Sequence, residues 1–434
     1  MKLRIAFFLL ALASPLQAEV AIQEVTSPKG IKAWLVEDHG IPFTSLSLDF
    51  KGGTSLDAAG KRGAVNLMTS LIEEGSGDLD AQGFAAARDA LAADFSFSSG
   101  EDSVSVSARF LSENREQAMA LLHQALVNPL FDQASVERVR AQILSGLRSD
   151  LKDASAIAAN LDRARSFGDH PYGSDGSGTV DSVTALTRDD ILAAHQGALA
   201  LDRITVGAAG DITAAELGQL VDALVAGLPA TGAPQPADVT PQQKGGITVQ
   251  DFPGPQSVVL FGQGGIGFDD PDYYAASVLN EIIGGGRFTA RLMTEVREKR
   301  GLTYGIGTAL ANYDHAAMLS GQFQASNDKV AEAISVIRAQ WALIAAEGVS
   351  QQELDDAKTY MTGAYPLRFD GNRRIANILV GMQTLGLSSD YPKTRNARIE
   401  AVTLADVKRV AAKLLQPQDL HFTVVGQPTG VVSE

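Results

Sequence analysis

At 434 residues the chain is long enough for two to four domains of ~100–200 residues, each burying its own core, which excludes a small stapled scaffold. Its 45% hydrophobic and 20% charged residues fit an ordinary soluble globular protein rather than a disordered or multi-span membrane chain. Basic residues number 36 against 51 acidic ones, a formal charge of −15 that argues against nucleic acid as a partner, and the lack of cysteine excludes disulfides, thiolate metal sites and cysteine nucleophiles.

The N-terminus reads as a leader. Lys2 and Arg4 precede the apolar run Ile5 to Leu12, and Leu16-Gln17-Ala18 offers a small residue for signal peptidase. The run falls far short of the ~20 residues that span a bilayer, so a cleaved signal over residues 1–18 and a periplasmic location are expected, with no membrane span in the mature protein. Further on, Asp102 to Phe110 alternates with period two as a half-buried strand does, and helical spacing follows over Arg115 to Val127 and Ser135 to Leu151.

Two similar halves are the main organisational signal. Thr187, Asp190 and Ile191 with Gly210 are matched by Thr403, Asp406 and Val407 with Gly426, and the Thr-to-Gly spacing is the same in both (210−187 = 426−403). A register offset of 218 puts Leu354, Ala357 and Met361 on the helix face that Val136, Val139 and Ile143 occupy upstream. Between the halves, Gly227 to Pro236 is too rich in Pro and Gly for a helix or central strand. The expected organisation is an N-terminal half over 19–226, a linker over 227–245 and a C-terminal half over 246–434. Each half is expected to be a mixed, largely antiparallel sheet packed with helices, an α+β fold used twice.

The six histidines (His39, His123, His170, His195, His315 and His421) include no pair at i, i+4, so no helical zinc motif exists, and neither a nucleophile elbow nor a phosphate loop appears. Gly284-Gly285-Gly286 reads as a glycine turn opening a helix, with backbone amides able to hold an anionic group or a peptide carbonyl. Arg297 to Tyr304 reads as a basic helix end, a C′ glycine and the start of a strand. Its charges suit the helix dipole whatever the function, while a guanidinium and a phenol fixed across that corner are donors suited to a peptide carbonyl and its developing oxyanion.

From about Gly30 to Gly426 the chain resembles the insulinase/pitrilysin family of zinc peptidases (peptidase M16), above all its members made of separate two-half chains, such as the mitochondrial processing type. The resemblance rests on Lys61 to Ser70, Asn128 to Phe131, His170 to Ser174 running on to Asp190, and above all Gly284-Gly-Gly-Arg through Leu292 to Arg297-Glu-Lys-Arg-Gly-Leu-Thr-Tyr304. It implies a chain forming half of a clam-shell chamber. Active members carry His-x-x-Glu-His on the first helix and a further Glu about 76 residues on, where this chain has Asn66, Thr69, Ser70 and, near the third position, Gly146. None of these is a zinc ligand or a general base, so the resemblance implies no metal and no hydrolysis by this chain alone.

The second-half Arg/Tyr pair is kept as Arg297 and Tyr304. The resemblance therefore implies the non-zinc subunit of a heterodimeric metallopeptidase, with zinc in a His-x-x-Glu-His partner chain and peptide or unfolded polypeptide as substrate. Tyr304 would donate to the oxyanion and Arg297 would hold a substrate carbonyl or position the tyrosine, both in trans, with Gly284, Gly285 and Gly286 lining the same chamber. The alternative is a non-catalytic peptide-binding or assembly protein of the same fold.

Overall fold

The computed structural model describes residues 21–242 and 244–434, and the leader expected over residues 1–18 lies outside them. The strands in chain order are β1 (Gln23–Thr26), β2 (Lys32–Glu37), β3 (Phe43–Lys51), β4 (Gly75–Ser76), β5 (Leu79–Asp80), β6 (Asp94–Ser99) and β7 (Ser103–Leu111). They continue with β8 (Ile204–Gly210), β9 (Ile247–Asp251), β10 (Gln256–Gly264), β11 (Ile306–Asn312), β12 (Ala317–Ser326) and β13 (His421–Gly426). Period-two alternation makes these strands: β7 turns Val104, Val106, Ala108 and Phe110 into the core, and β3 opposite it buries Leu46, Leu48 and Phe50.

Two main sheets result, ordered β1-β2-β8-β3-β7-β6 and β11-β12-β10-β13-β9. Read from its other end, the second repeats the first without β1. In both, the closing strand lies parallel to the opening one (β8 on β2, β13 on β9) and every other neighbour is antiparallel. The helices keep the same repeat. Helix Gln133–Asp150 precedes Gln351–Ala364 by the same offset that separates Ala154–Phe167 from Asn372–Thr384 (351−133 = 372−154). Thr187 and Thr403 each cap a helix through a capping box with Asp190 and Asp406, and Gly210 and Gly426 end their strands at positive φ, 124° and 155°.

Each half has its own large core, one around Leu48, Phe50 and Val106, the other around Phe261, Ile283 and Trp341. The halves also exchange a helix. Ala154–Phe167 from the first half lies against β10 and β13 of the second sheet, while Asn372–Thr384 from the second lies against β2, β3 and β8 of the first. The second exchange seals a separate small core of Trp34, Ala209, Ile375, Leu379 and Met382. The Pro/Gly-rich connection is strapped to the surface, Gln235 donating to the Lys51 carbonyl at 3.1 Å and the Val239 amide to that of His315 at 2.9 Å, because a segment without a ladder must find partners elsewhere.

Candidate functional site

The positions where the family resemblance expects zinc ligands lie on helix Ala64–Leu71 and on the helix packed against it, Gln133–Asp150. Asn66 accepts a hydrogen bond from Ser99 at 3.3 Å, and Ser70 donates to the Asn66 carbonyl at 2.9 Å. Thr69 is buried and turns its hydroxyl onto the Val65 carbonyl at 2.8 Å, and Gly146 is exposed with open space where a side chain would stand. An amide, two back-bonded hydroxyls and a glycine do not make a zinc site, and among the described residues no group of three or more His, Asp or Glu gathers as metal ligands.

Four of the six histidines have ring hydrogen-bond partners as follows. His195 binds the Leu126 carbonyl at 2.8 Å, His123 that of Leu224 at 2.9 Å, and His421 sits between the Gly245 carbonyl and Thr248. Burial lowers the pKa of both His195 and His421, keeping them neutral. His39 is exposed between Asp211 and Glu37, whose hydrogen bonds raise its pKa.

A cavity of about 1050 Å³ lies between the exchanged helix Ala154–Phe167 and the second sheet, and Gly284, Gly286 and Tyr304 line it. The glycines close helix Tyr273–Gly284 rather than opening the next, which begins at Arg291. The reason is steric: a Cβ on Gly284 would stand 2.6 Å from the Thr308 hydroxyl and one on Gly285 would meet Glu281, whereas Gly286 faces open space. Beyond them, Gly301 takes φ 60° and ends the segment Met293–Glu298 as a C′ residue, its amide on the Arg297 carbonyl and that of Leu302 on Val296. Lys299 and Arg300 both pair with Glu295, so these charges serve the helix end.

Tyr304 stands just ahead of β11 rather than within it, 90% exposed at the cavity rim. The corner beneath it is pinned by Thr303, which donates to the Gln324 carbonyl at 2.6 Å and accepts the Gly305 amide at 3.2 Å. Arg297 lies apart from the cavity lining, its guanidinium 4.9 Å from the centre of the exposed Phe288 ring. The structure thus brings together Tyr304, Gly284 and Gly286 at one cavity, and leaves Arg297 outside its lining, stacked on Phe288.

Sequence reasoning misses the far wall. Phe167 and Arg163 of the exchanged helix line the cavity, Arg163 paired to Asp175 at 2.8 Å. Phe167 packs edge-on to Tyr313 at the tip of the β11–β12 hairpin, 5.8 Å between centres. A polar cluster holds that tip: Tyr172 donates to Asp102, whose other oxygen accepts the Asp314 amide at 3.1 Å, and the Tyr172 oxygen accepts the His315 amide at 3.2 Å. Burial raises the Asp102 pKa, against the pull of these bonds.

Two like halves with exchanged helices, a chamber wall bearing a glycine loop and a lone exposed tyrosine, and an eroded zinc motif define a chain of the two-half zinc-peptidase class without its metal donors. The profile described as Insulinase (Peptidase family M16) matches residues 32–161, and that described as Peptidase M16 inactive domain matches 185–361. The chain is 24% identical to the non-peptidase homolog YmxG of Helicobacter pylori over 98% of both chains. It is 27% identical to an uncharacterized zinc protease of Mycobacterium leprae over 90% of this chain and 88% of that one. A crystal structure of a peptidase M16 inactive domain from Pseudomonas fluorescens superposes with a TM-score of 0.88 at 29% identity, over 95% of this chain and 99% of that one. The chain belongs to the insulinase, or M16, peptidase family.

Proposed function

We propose that this chain is the metal-free subunit of a two-chain zinc peptidase of the periplasm, inactive alone and supplying Tyr304 to substrate bound at a partner's zinc site. One observation carries the reading: Tyr304 is held by a pinned corner at the rim of a large cavity yet points into solvent, while the helix that bears the ligands in active relatives carries none here. A phenol this exposed is free to donate to a tetrahedral oxyanion formed against a second chain. Arg297 would swing from Phe288 to hold a substrate carbonyl, and the glycine corner leaves room for an extended backbone to approach.

The test is purification without chelator, followed by zinc analysis and assay with a quenched peptide. An equimolar second chain bearing His-x-x-Glu-His, about one zinc per pair, and a Tyr304→Phe variant slowed on the order of a hundredfold would support the reading. A lone, inert protein would remove it. The stacking of Arg297 on Phe288, away from the cavity, favours the second reading, in which the chamber only binds peptide; Tyr304→Phe then leaves any partner's rate unchanged.

A further inference from the structure

A second cavity, of about 990 Å³, opens between helices Tyr273–Gly284, Gln351–Ala364, Asn372–Thr384 and Tyr391–Glu400. In a chain of net charge −15 its wall carries three arginines, Arg368, Arg374 and Arg395, and a single acid, Glu281. That acid is spent on Arg287 at 2.8 Å. Among the described residues neither Arg368 nor Arg374 has a carboxylate within ion-pair distance. Arg395 is aimed: it stacks on Tyr365 at 4.5 Å and donates to the Met361 carbonyl at 2.7 Å. Tyr391 is hydrogen-bonded to Tyr274, and burial pushes its pKa well above the usual range, so it remains a neutral donor.

The repeat supplies an internal control. The helix caps Asp132 and Ser350 stand at the same offset as Asp153 and Gly371 (350−132 = 371−153). That offset puts Leu147, Asp150 and Ala156 of the first half at the places of Tyr365, Arg368 and Arg374 (365−147 = 368−150 = 374−156). The fold is built in the first half without these rings and charges, so folding does not require them in the second. Both cavities share Ala309 on β11, the edge strand of its sheet, so one extended chain can reach from Tyr304 into the arginine pocket. A mixed aromatic and guanidinium wall of this size suits a peptide carrying a carboxylate better than a small bare anion.

We propose that this cavity binds the carboxylate of an extended peptide, an acidic side chain or the chain terminus, between Arg368, Arg374 and Arg395. The site is built by this chain alone and does not depend on a zinc-bearing partner.

The experiment is fluorescence anisotropy on the full chain with four short labelled peptides: two glutamates and a free C-terminus, then glutamine in place of glutamate, then a C-terminal amide, then both changes. The doubly neutral peptide is expected to bind at least tenfold more weakly than the acidic one, and the single changes assign the binding to side chain or terminus. Arg368→Ala/Arg374→Ala is expected to weaken the acidic peptide roughly tenfold or more, the scale of a lost charge-assisted bond, without changing the melting temperature. Arg374→Glu should lower affinity for the acidic peptide while sparing the neutral one. Equal binding of all four peptides, an unchanged Kd in the double variant, or inorganic phosphate alone binding as tightly as the acidic peptide would overturn the proposal.

Discussion

Gly207 on β8 lies directly beneath the carbonyl of Ala376, on the helix that crosses from the second half: a Cβ built there would stand 2.5 Å from that oxygen and 3.0 Å from the Leu379 Cβ. At the matching place in the second sheet (423−207 = 426−210), Thr423 donates to Asp162 of the other exchanged helix at 3.2 Å. One junction is thus a close steric fit and the other a polar contact. Gly207→Ala must push the helix away and is expected to cost about 1–3 kcal/mol, whereas Gly264→Ala, with nothing within 4 Å, should be neutral within about 0.5 kcal/mol. Urea unfolding of both variants checks this; equal stability would mean that the helix is loosely seated.

Tyr172 is the keystone of the contact between β7 and the β11–β12 hairpin. Its hydroxyl donates to Asp102 and accepts the His315 amide, so Tyr172→Phe leaves one oxygen of the half-buried Asp102 carboxyl and a backbone donor without this partner together. The expected cost is about 1–3 kcal/mol, and protease susceptibility should rise first at residues 312–316. Cleavage confined elsewhere would show that other contacts hold the tip.

Much of this fold is legible because its repeat is written in local chemistry. The evenly spaced Thr187 and Thr403 prove to be helix caps, the matching Gly210 and Gly426 take positive φ, and the apolar triads at Val136 and Leu354 face their cores as their spacing requires. The exchange of helices is not legible, since an amphipathic pattern tells a helix to bury a face without naming the sheet that receives it. For the same reason the basic cavity is invisible: Tyr274 and Arg395 lie far apart in sequence and meet only through the packing of four helices. The Gly284–Gly286 turn ends a helix, as the preference of glycine for helix C-termini favours, a signal that reading it as a helix opening passes over.

Asn66 and Ser70 sit one turn apart on helix Ala64–Leu71, and Gly146 presents open space on the helix packed against it. Asn66→His/Ser70→His/Gly146→Glu therefore places three zinc donors on two packed helices. Zinc at about a hundred times its Kd should stabilise that variant by roughly 2.7 kcal/mol, while leaving the unaltered chain's melting temperature unmoved by zinc or chelator. A zinc response in the unaltered chain would contradict the eroded site; no response in the variant would show that the two helices no longer sit at ligand spacing.

The N-terminus of that same helix rests on Asp57, which accepts the amides of Gly63 at 2.8 Å and Val65 at 2.9 Å, with Arg62 3.6 Å away. Burial nonetheless raises its pKa from 3.8 to about 6, outweighing the two amides and the guanidinium that favour the charged form. Because the folded state then holds the proton more tightly than the unfolded one, the stability contributed by this group is fully present below pH 3.8 and is lost as pH rises to about 6. Asp57→Asn keeps an oxygen acceptor and removes the ionisation, so whatever it costs in hydrogen bonding is the same at every pH. The stability of the wild type relative to the variant should therefore fall between pH 3 and pH 7 by roughly 3 kcal/mol, since each tenfold difference in proton affinity between the folded and unfolded states is worth about 1.36 kcal/mol. Chemical denaturation at a series of pH values gives the difference curve directly. A flat curve would mean that Asp57 stays ionised throughout and that the two amides and Arg62 outweigh its burial.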